Sequence, residues 1–542
     1  MRIFRGPPAE DRQETCNKFA MIDPSPTDIL VVCCAALAHL YYRYKSRASL
    51  SYPPGPKPLP IIGNTLDIPT FKGFEVFAEW SKTYNSDILY LGALGKHIVV
   101  LNSLEAANEL CGERSATYSS RPHLTMLCDL MNATRFMAVI PYGDAWKARR
   151  KKFQHHFPPN DPSHIATSRS EEFVRKYLLP NILENPRDFH KHIRSTIGGI
   201  ILSLAYGLRI RRFDDPWINL AELTLQTTTE AAVVGRYLVD IIPALKYVPE
   251  WMPGAGFRKT GKEGRKIVDD FIDRLYDAAV EEIAEGVAQP SFVSLALDEN
   301  DETSIHNLKE VIRETAGVFF AGGSDTTVAA VNNFVLLMTL YPDIQAKARE
   351  EVDTIVGHDR LPSYSDKPSM PYLTAVLKEV LRWRPVVPAG MPHCTTADDV
   401  YRGYFIPKGT IIINNAWAIL HDEQHFPKPD HFDPERFLTT SGQLRKNVLD
   451  PEVTATFGFG RRTCPGSQIA QATLFVVAAS FLSSFSILKP LNEKGEEVDP
   501  LVHYSGKTMV DHPTPFACRF VPRSKGARAL IQAEVLNLDE KL

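Results

Sequence analysis

Apolar residues recur along this chain mostly at helical spacing. Leu308, Val311, Ile312, Thr315 and Phe319 fall three and four apart, which predicts one face of a long helix running on through Ala321–Thr327. Pro342 opens a second helix (PDIQAKAREEVDTIV) that Gly357 closes. A third starts at Pro371 and ends before Pro385. Gln468–Leu482 is apolar nearly throughout and helix-competent. Shorter stretches predict hairpins: Ile88–Leu91 with His97–Leu101 across a Gly-bearing turn, and Tyr404–Ile406 with Thr410–Ile413 across Pro407-Lys408-Gly409. After Ile61 there is no second linker and no internal repeat. The pattern predicts a mainly α protein with small β-sheets (α+β), built as a single large catalytic domain over 61–525 with a C-terminal tail at 526–542.

The N-terminus breaks this pattern. Ile29–Tyr42 (ILVVCCAALAHLYY) carries no Lys, Arg, Asp or Glu. Its fourteen residues rise about 21 Å, short of a hydrocarbon core of roughly 30 Å, and flanking residues at the interfaces can extend the span. Ala36-Leu37-Ala38 has the small-x-small form of a signal cleavage site. However, Arg43, Lys45 and Arg47 follow the run, and no Lys or Arg lies between Lys18 and Arg43. The positive-inside rule then predicts an uncleaved signal anchor with the downstream body cytosolic. Residues 21–45 read as a lumenal stub and anchor helix, and 46–60 as a Pro-rich hinge, because five prolines between Pro53 and Pro60 form a stiff, extended spacer. Residues 1–20 are polar and patternless, and read as a gene-model extension upstream of Met21.

Composition narrows the function. The 542 residues are 44% hydrophobic and 23% charged, too apolar for a disordered chain and too polar for a polytopic membrane protein. A net charge of −3 excludes a basic nucleic-acid footprint at the level of the whole chain. Eight cysteines, none in a C-x-x-C pair, exclude a disulfide scaffold and argue against a Cys-rich zinc site. A cysteine with a chemical role here acts alone.

Cys464 is the candidate. It lies in Phe457-Gly458-Phe459-Gly460-Arg461-Arg462-Thr463-Cys464-Pro465-Gly466, just before the apolar helix, with Pro465 suited to the first turn. A helix N-terminus and the neighbouring Arg462 would each lower a thiol pKa. Such a thiolate can serve as nucleophile, metal ligand or buried structural group. Phe, Gly, Arg and Gly at fixed offsets around it argue against a lone structural cysteine.

Phe457-x-x-Gly460-x-Arg462-x-Cys464-x-Gly466 resembles the haem-ligand signature of the cytochrome P-450 superfamily, the haem-thiolate monooxygenases, and the anchor, hinge and C-terminal Pro513-Thr514-Pro515-Phe516 segment resemble its membrane-bound fungal members. The resemblance extends over nearly the whole chain. It implies the cytochrome P-450 fold, with Cys464 as sole protein ligand to the iron of haem b (iron protoporphyrin IX), pushing electron density onto the metal. Glu379-Val380-Leu381-Arg382 is similar to the family's E-x-x-R, and Pro434-Glu435-Arg436-Phe437 to its P-E-R-F, which together imply a buried Glu379–Arg382–Arg436 triad. Ala321–Thr327 resembles the oxygen-admitting part of the family's central helix, opened over the haem. Gly322 and Gly323 would leave room for dioxygen, and Asp325 and Thr326 would form the proton-relaying acid–alcohol pair. Helix–helix packing is the plain alternative for the two glycines, and a bond back to the previous turn the plain alternative for Thr326. Trp146-Lys147-Ala148-Arg149-Arg150 matches W-x-x-x-R, so Trp146, Arg150 and Arg462 are expected at the haem propionates, with His393 as a further donor.

These expectations define an activity. The resemblance implies insertion of one atom of O2 into a lipophilic small molecule, a fungal secondary metabolite or xenobiotic, with electrons from NADPH through NADPH-cytochrome P-450 reductase. The protein would sit in the endoplasmic reticulum membrane, in contact with membrane lipid and with no nucleic-acid partner. Phe319, Phe320, Val386, Val387 and the 121–140 segment are candidate pocket residues. Lys147, Arg149, Lys151 and Lys152 form a basic cluster that could receive an acidic reductase. Two other readings are a haem-thiolate isomerase or dehydratase that needs no O2, which would tend to lack an acid–alcohol pair, and a non-catalytic haem or lipid carrier.

Overall fold

The computed structural model describes residues 50–158, 164–212, 214–233, 236–298, 308–504, 506 and 508–539. The expected anchor, Ile29–Tyr42, lies outside them. The chain divides into two compact units: residues 1–52 with Val400–Ile406, and Pro53–Asp399 with Pro407–Leu542. In the first, the Phe405 N–H donates to the Ser51 carbonyl at 2.9 Å. All the expected site residues belong to the second.

The second unit is mostly helical. The elements that matter here are α1 (Gly73–Thr83), β1 (Ile88–Ala93), β2 (Lys96–Leu101), α2 (Asp144–His156), α3 (Phe189–Tyr206), α4 (Pro216–Ala231), α5 (Gly256–Ala284), α6 (Leu308–Leu340), α7 (Pro342–Val356), α8 (Pro371–Trp383), β3 (His393–Cys394), β4 (Ile411–Asn414) and α9 (Ser467–Ser484). The 33-residue α6 runs through the middle, packed on α2, α3, α5 and α9. It is buried on all sides over Ala316–Phe320 and again over Thr327–Thr339, and between these stretches every residue of Ala321–Thr326 except Ser324 is partly or fully exposed. Phe320 and Phe334 are fully buried within it, each contributing roughly 1.5–3 kcal/mol by burial. α9 is apolar all round and accordingly lies inside the core. Among the described residues it is the one helix long and apolar enough to cross a membrane, and 83% of that stretch is buried within the molecule.

The sheet has the order β1-β2-β4-β3. β1 and β2 pair antiparallel, Ile88 opposite Leu101, across a two-residue turn in which Leu94 (φ 46°) and Gly95 (φ 78°) are both left-handed, as a primed hairpin turn requires. The second expected hairpin does not form. Ile411–Ile413 pairs parallel with β2, while Tyr404–Ile406 pairs with the strand ending at Tyr401. Alternating β residues identify strands but not partners, and here Ile411 is drawn into the cluster of Phe77, Leu89, Leu91, Ile98 and Val100.

The Pro-rich run is docked from Pro54 onwards. The Pro54 carbonyl accepts the Tyr90 N–H at 2.9 Å, and Asn64 Nδ2 donates to the Pro56 carbonyl at 3.0 Å. A Cβ on Gly55 would lie 2.1 Å from the Tyr90 carbonyl oxygen, so this residue must be glycine. This part of the expected hinge therefore lies along β1 and is no free spacer.

Candidate functional site

The loop before α9 is shaped by glycine. Gly458 (φ +83°) and Gly460 (φ +57°) turn the chain through the left-handed region, and a Cβ on Gly460 would lie 1.9 Å from the Cys111 carbonyl oxygen. The Thr463 N–H then donates to the Gly460 carbonyl at 3.2 Å and the Cys464 N–H to that of Phe457 at 2.8 Å. These bonds fix Cys464 on the wall of a cavity that Phe457 also lines. α9 begins three residues later, at Ser467, with Gly466 as its N-cap.

The charge state expected for Cys464 is corrected. Burial pushes its thiol above the ordinary range, and the Gly466 N–H and Arg150 offset this only in part. Arg462 does not serve the sulfur. Its Nε donates to the Ser119 carbonyl at 2.7 Å, Nη2 to Ile140 at 2.8 Å and Nη1 to Met137 at 3.4 Å. Sequence adjacency had suggested a contact that the turn forbids. A coordinating metal deprotonates a thiol outright, so the buried sulfur remains suited to ligation.

Cations gather on the same cavity. Arg462 lies 4.5 Å from the centre of the Trp146 ring, and Arg150, one turn along α2, lies 5.9 Å from it. Arg121, which sequence reasoning passed over as part of an apolar segment, is buried there too. It donates Nε to Ala138 at 3.1 Å and Nη1 to the Met391 and Pro392 carbonyls at 2.8 and 2.7 Å. Among the described residues no carboxylate pairs with any of the three. Burial accordingly depresses Arg121 to about 10, and burial with the neighbouring Arg121 and Arg150 depresses Arg462 to about 9. Uncompensated buried charge is costly, so this arrangement calls for an anion. A cavity with one thiol and three such guanidiniums suits iron protoporphyrin IX, which carries two carboxylates.

His393, expected as a further donor to the haem propionates, is buried beside two of these cations. It is 3% exposed, its Nδ1–H donates to the Tyr118 carbonyl at 2.8 Å, and burial with Arg121 and Arg462 holds its pKa down to about 3. The neutral ring keeps only an acceptor at Nε2 and cannot donate to a carboxylate unless that carboxylate protonates it.

α6 supplies the opposite wall. It is an unbroken helix at Ala321–Thr327, so the expected opening is not a break in its backbone. The two glycines part company: a Cβ on Gly322 would meet nothing within 4 Å, whereas one on Gly323 would meet Ile201 of α3 at 3.1 Å. Gly322 thus keeps space, and Gly323 serves helix packing. Asp325 and Thr326 both line the cavity. The Thr326 hydroxyl donates to the Gly322 carbonyl at 2.8 Å, which is the backbone bond of the plain reading, and its lone pairs stay free to accept. Asp325 pairs with Arg194 Nη1 at 3.1 Å and faces His512 Nε2 at 3.0 Å. Burial pushes its carboxyl up, but these two partners overcome that and hold it below the ordinary carboxylate range.

The cavity encloses about 360 Å³ and is largely apolar. Phe319, Val386 and Val387 line it as expected, with Leu127, Ala133, Phe136, Met137, Ala138 and Val139 from the 121–140 segment. Phe320 does not line it. It turns into the core against Phe271, at 5.7 Å between ring centres, because consecutive helical residues point about 100° apart. Leu225, Met509 and Val510 complete the lining, and no sequence signal marked them.

Behind the cysteine loop lies the expected triad. Glu379 and Arg382, both fully buried, pair through Nε–Oε2 at 2.7 Å and Nη2–Oε1 at 2.9 Å. Arg436 Nε donates to Glu379 Oε1 at 3.1 Å. The remaining guanidinium donors reach the Leu420, Pro427, Pro429 and His431 carbonyls, so the network pins the whole 420–436 stretch. The basic cluster of α2 fares differently. Arg149 pairs with buried Glu314, Lys147 with Asp144 at 3.0 Å, and Lys152 is only 8% exposed. Of the cluster, Lys147 and Lys151 stay exposed.

Comparison with known proteins agrees with this geometry. The family model described as Cytochrome P450 matches residues 53–510. A cytochrome P450 monooxygenase of Rhodocybe pseudopiperita is 44% identical over 89% of this chain and 91% of its own length. Another of Armillaria gallica is 40% identical over 93% and 98%, and a tryptamine 4-monooxygenase of Psilocybe cyanescens 37% identical over 92% and 98%.

Proposed function

The chain belongs to the cytochrome P450 family, whose members bind haem through a cysteine thiolate and act as monooxygenases, and on that footing we propose that it oxidises an uncharged, lipophilic small molecule with electrons from an NADPH-dependent reductase. When bound, haem activates O2 so that one oxygen atom enters the substrate and the other leaves as water. The proposed protein contributions are ligation by Cys464, binding of the haem carboxylates by Arg121, Arg150 and Arg462 over Trp146, and a proton path through Asp325 and Thr326. The substrate class rests on the cavity wall. Asp325 is the one carboxylate among the described lining residues, and both its oxygens face cations, so no anion is spare to hold a protonated amine. A charged amine is disfavoured on that ground.

The observation that carries the monooxygenase reading is that Asp325 and Thr326 share a cavity with Cys464. A hydroxyl accepts a proton at its oxygen while giving up its own, and a carboxylate beside it resupplies that proton. An isomerase or carrier needs neither. Thr326→Ala should keep near-normal haem content and NADPH use but divert electrons to hydrogen peroxide. Peroxide formed per NADPH, measured with a substrate first identified by its haem spin-state shift, checks this, and an unchanged product yield would remove Thr326 from the path.

The proposed location is the endoplasmic reticulum membrane, held by Ile29–Tyr42 with the catalytic unit cytosolic; Arg43, Lys45 and Arg47 support that orientation. Removing residues 1–44 should leave a haem-loaded enzyme that sediments far less with membranes. Protease protection of the intact catalytic unit in sealed microsomes would contradict the orientation.

A further inference from the structure

Asp325 is gripped from two sides by groups to which the reading above gives no work. Arg194 of α3 faces Oδ1, and His512, from the C-terminal segment, faces Oδ2. That segment also reaches the cavity, since Met509 and Val510 line it. It is pinned there by the Asp511 N–H, which donates to the carbonyl of Val386, another lining residue, at 2.9 Å. One short stretch of chain therefore touches both the cavity and the carboxylate.

The surroundings limit how Asp325 can regain a proton. Its side chain is 16% exposed, so little water reaches it directly. Arg194 cannot be the source, because a guanidinium does not give up its proton in a protein. An imidazole can, being the side chain whose ordinary titration spans neutral pH. His512 is 22% exposed, which leaves it open to solvent on one side. Its Nε2 lies 3.0 Å from Asp325 Oδ2 without an aligned hydrogen bond, and a small ring rotation would bring a ring N–H onto that oxygen. The other charged groups around the pair are Glu222, half-buried near Arg194 and Asp325 with its carboxyl pushed up by burial, and Asp511 on the segment itself, whose Oδ1 accepts the Gly506 N–H at 3.1 Å. Arg384 and Lys72 lie near Asp511 in turn.

We propose that His512 is a positioning residue that acts through Asp325, holding the carboxylate together with Arg194 and returning to it, from solvent, the proton it passes to Thr326. In that step the His512 Nε2–H bond breaks and an Asp325 Oδ2–H bond forms. The neutral ring then takes up one of the bulk-solvent protons that the reaction consumes, and no electrons move. The proposal rests on the reading of Asp325 as the acid of the proton path.

The test uses the haem-loaded full chain with reductase, NADPH and O2 and no organic substrate. The wild-type rate of NADPH oxidation should fall along a limb as rising pH removes protonated imidazole. His512→Gln should slow the reaction about tenfold at the acid end, less than a directly acting general acid contributes, and abolish the limb. Independently of turnover, deuterium exchange at the His512 ring C2 position, followed by mass spectrometry, reports its own titration. Asp325→Asn should move that midpoint, because it removes the carboxylate that the ring faces at 3.0 Å. A wild-type rate in Asp325→Asn would overturn the acid reading itself. A slow Asp325→Asn beside a His512→Gln that keeps rate and limb would overturn His512 alone. Equal slowing of His512→Gln at every pH, or an unmoved exchange midpoint, would mark His512 as packing and overturn its part as well.

Discussion

Cys464→His should retain some haem yet lose the strongly red-shifted ferrous–CO absorption, and its monooxygenase turnover should fall to background. The effect is expected to be this large because nothing nearby can stand in. The Cys464 position is set by the Phe457 and Gly460 carbonyls, and His393 has committed its Nδ1–H to Tyr118. An imidazole at 464 is neutral and donates less electron density than a thiolate, so the bound iron would favour O–O cleavage less. The reduced-CO spectrum checks the result, and a retained red-shifted band would displace Cys464 as ligand.

Glu379→Ala should be the most destabilising single change in the cysteine-loop region. The carboxylate is fully buried and accepts from Arg382 twice, from Arg436 once and from the Asp433 N–H at 2.9 Å. Its removal leaves two guanidiniums uncompensated, a loss of about 3–5 kcal/mol, against a total stability of about 5–15 kcal/mol for a typical protein. Low haem content and a sharply lower melting temperature are expected. Glu379→Gln keeps the shape and acceptor oxygen and should be milder. Equal melting of Glu379→Ala and wild type would show that the 420–436 stretch is held by other means.

Much of this was legible in the sequence because it is local. The i,i+3 spacing of Glu379 and Arg382 dictates a shared helix face, and the Pro342–Val356 and Pro371–Trp383 helices start and end where their punctuation says. Phe457, Gly460, Arg462 and Gly466 at fixed offsets marked out the loop that carries Cys464. The failures are non-local. Arg121, Arg194 and His512 reach the site from distant segments, and single polar residues among ordinary neighbours carry no periodic signal. The strand at Ile411 chose its partner by a hydrophobic cluster assembled from far-apart residues. Arg462 and Phe320 failed for a subtler reason: neighbours in sequence need not share a direction, so one turned to carbonyls and the other to the core.

The three guanidiniums around Trp146 bear on how this protein is made and kept. They hold like charges side by side in a buried wall, and a bound dianion would relieve that cost. A ligand that relieves this binds the folded state alone and so adds to its stability by mass action. Chains that have not yet acquired it are the less stable population, the one that proteolytic quality control removes first. The steady-state abundance of this enzyme in a cell would then follow the cell's haem supply, with no transcriptional signal needed.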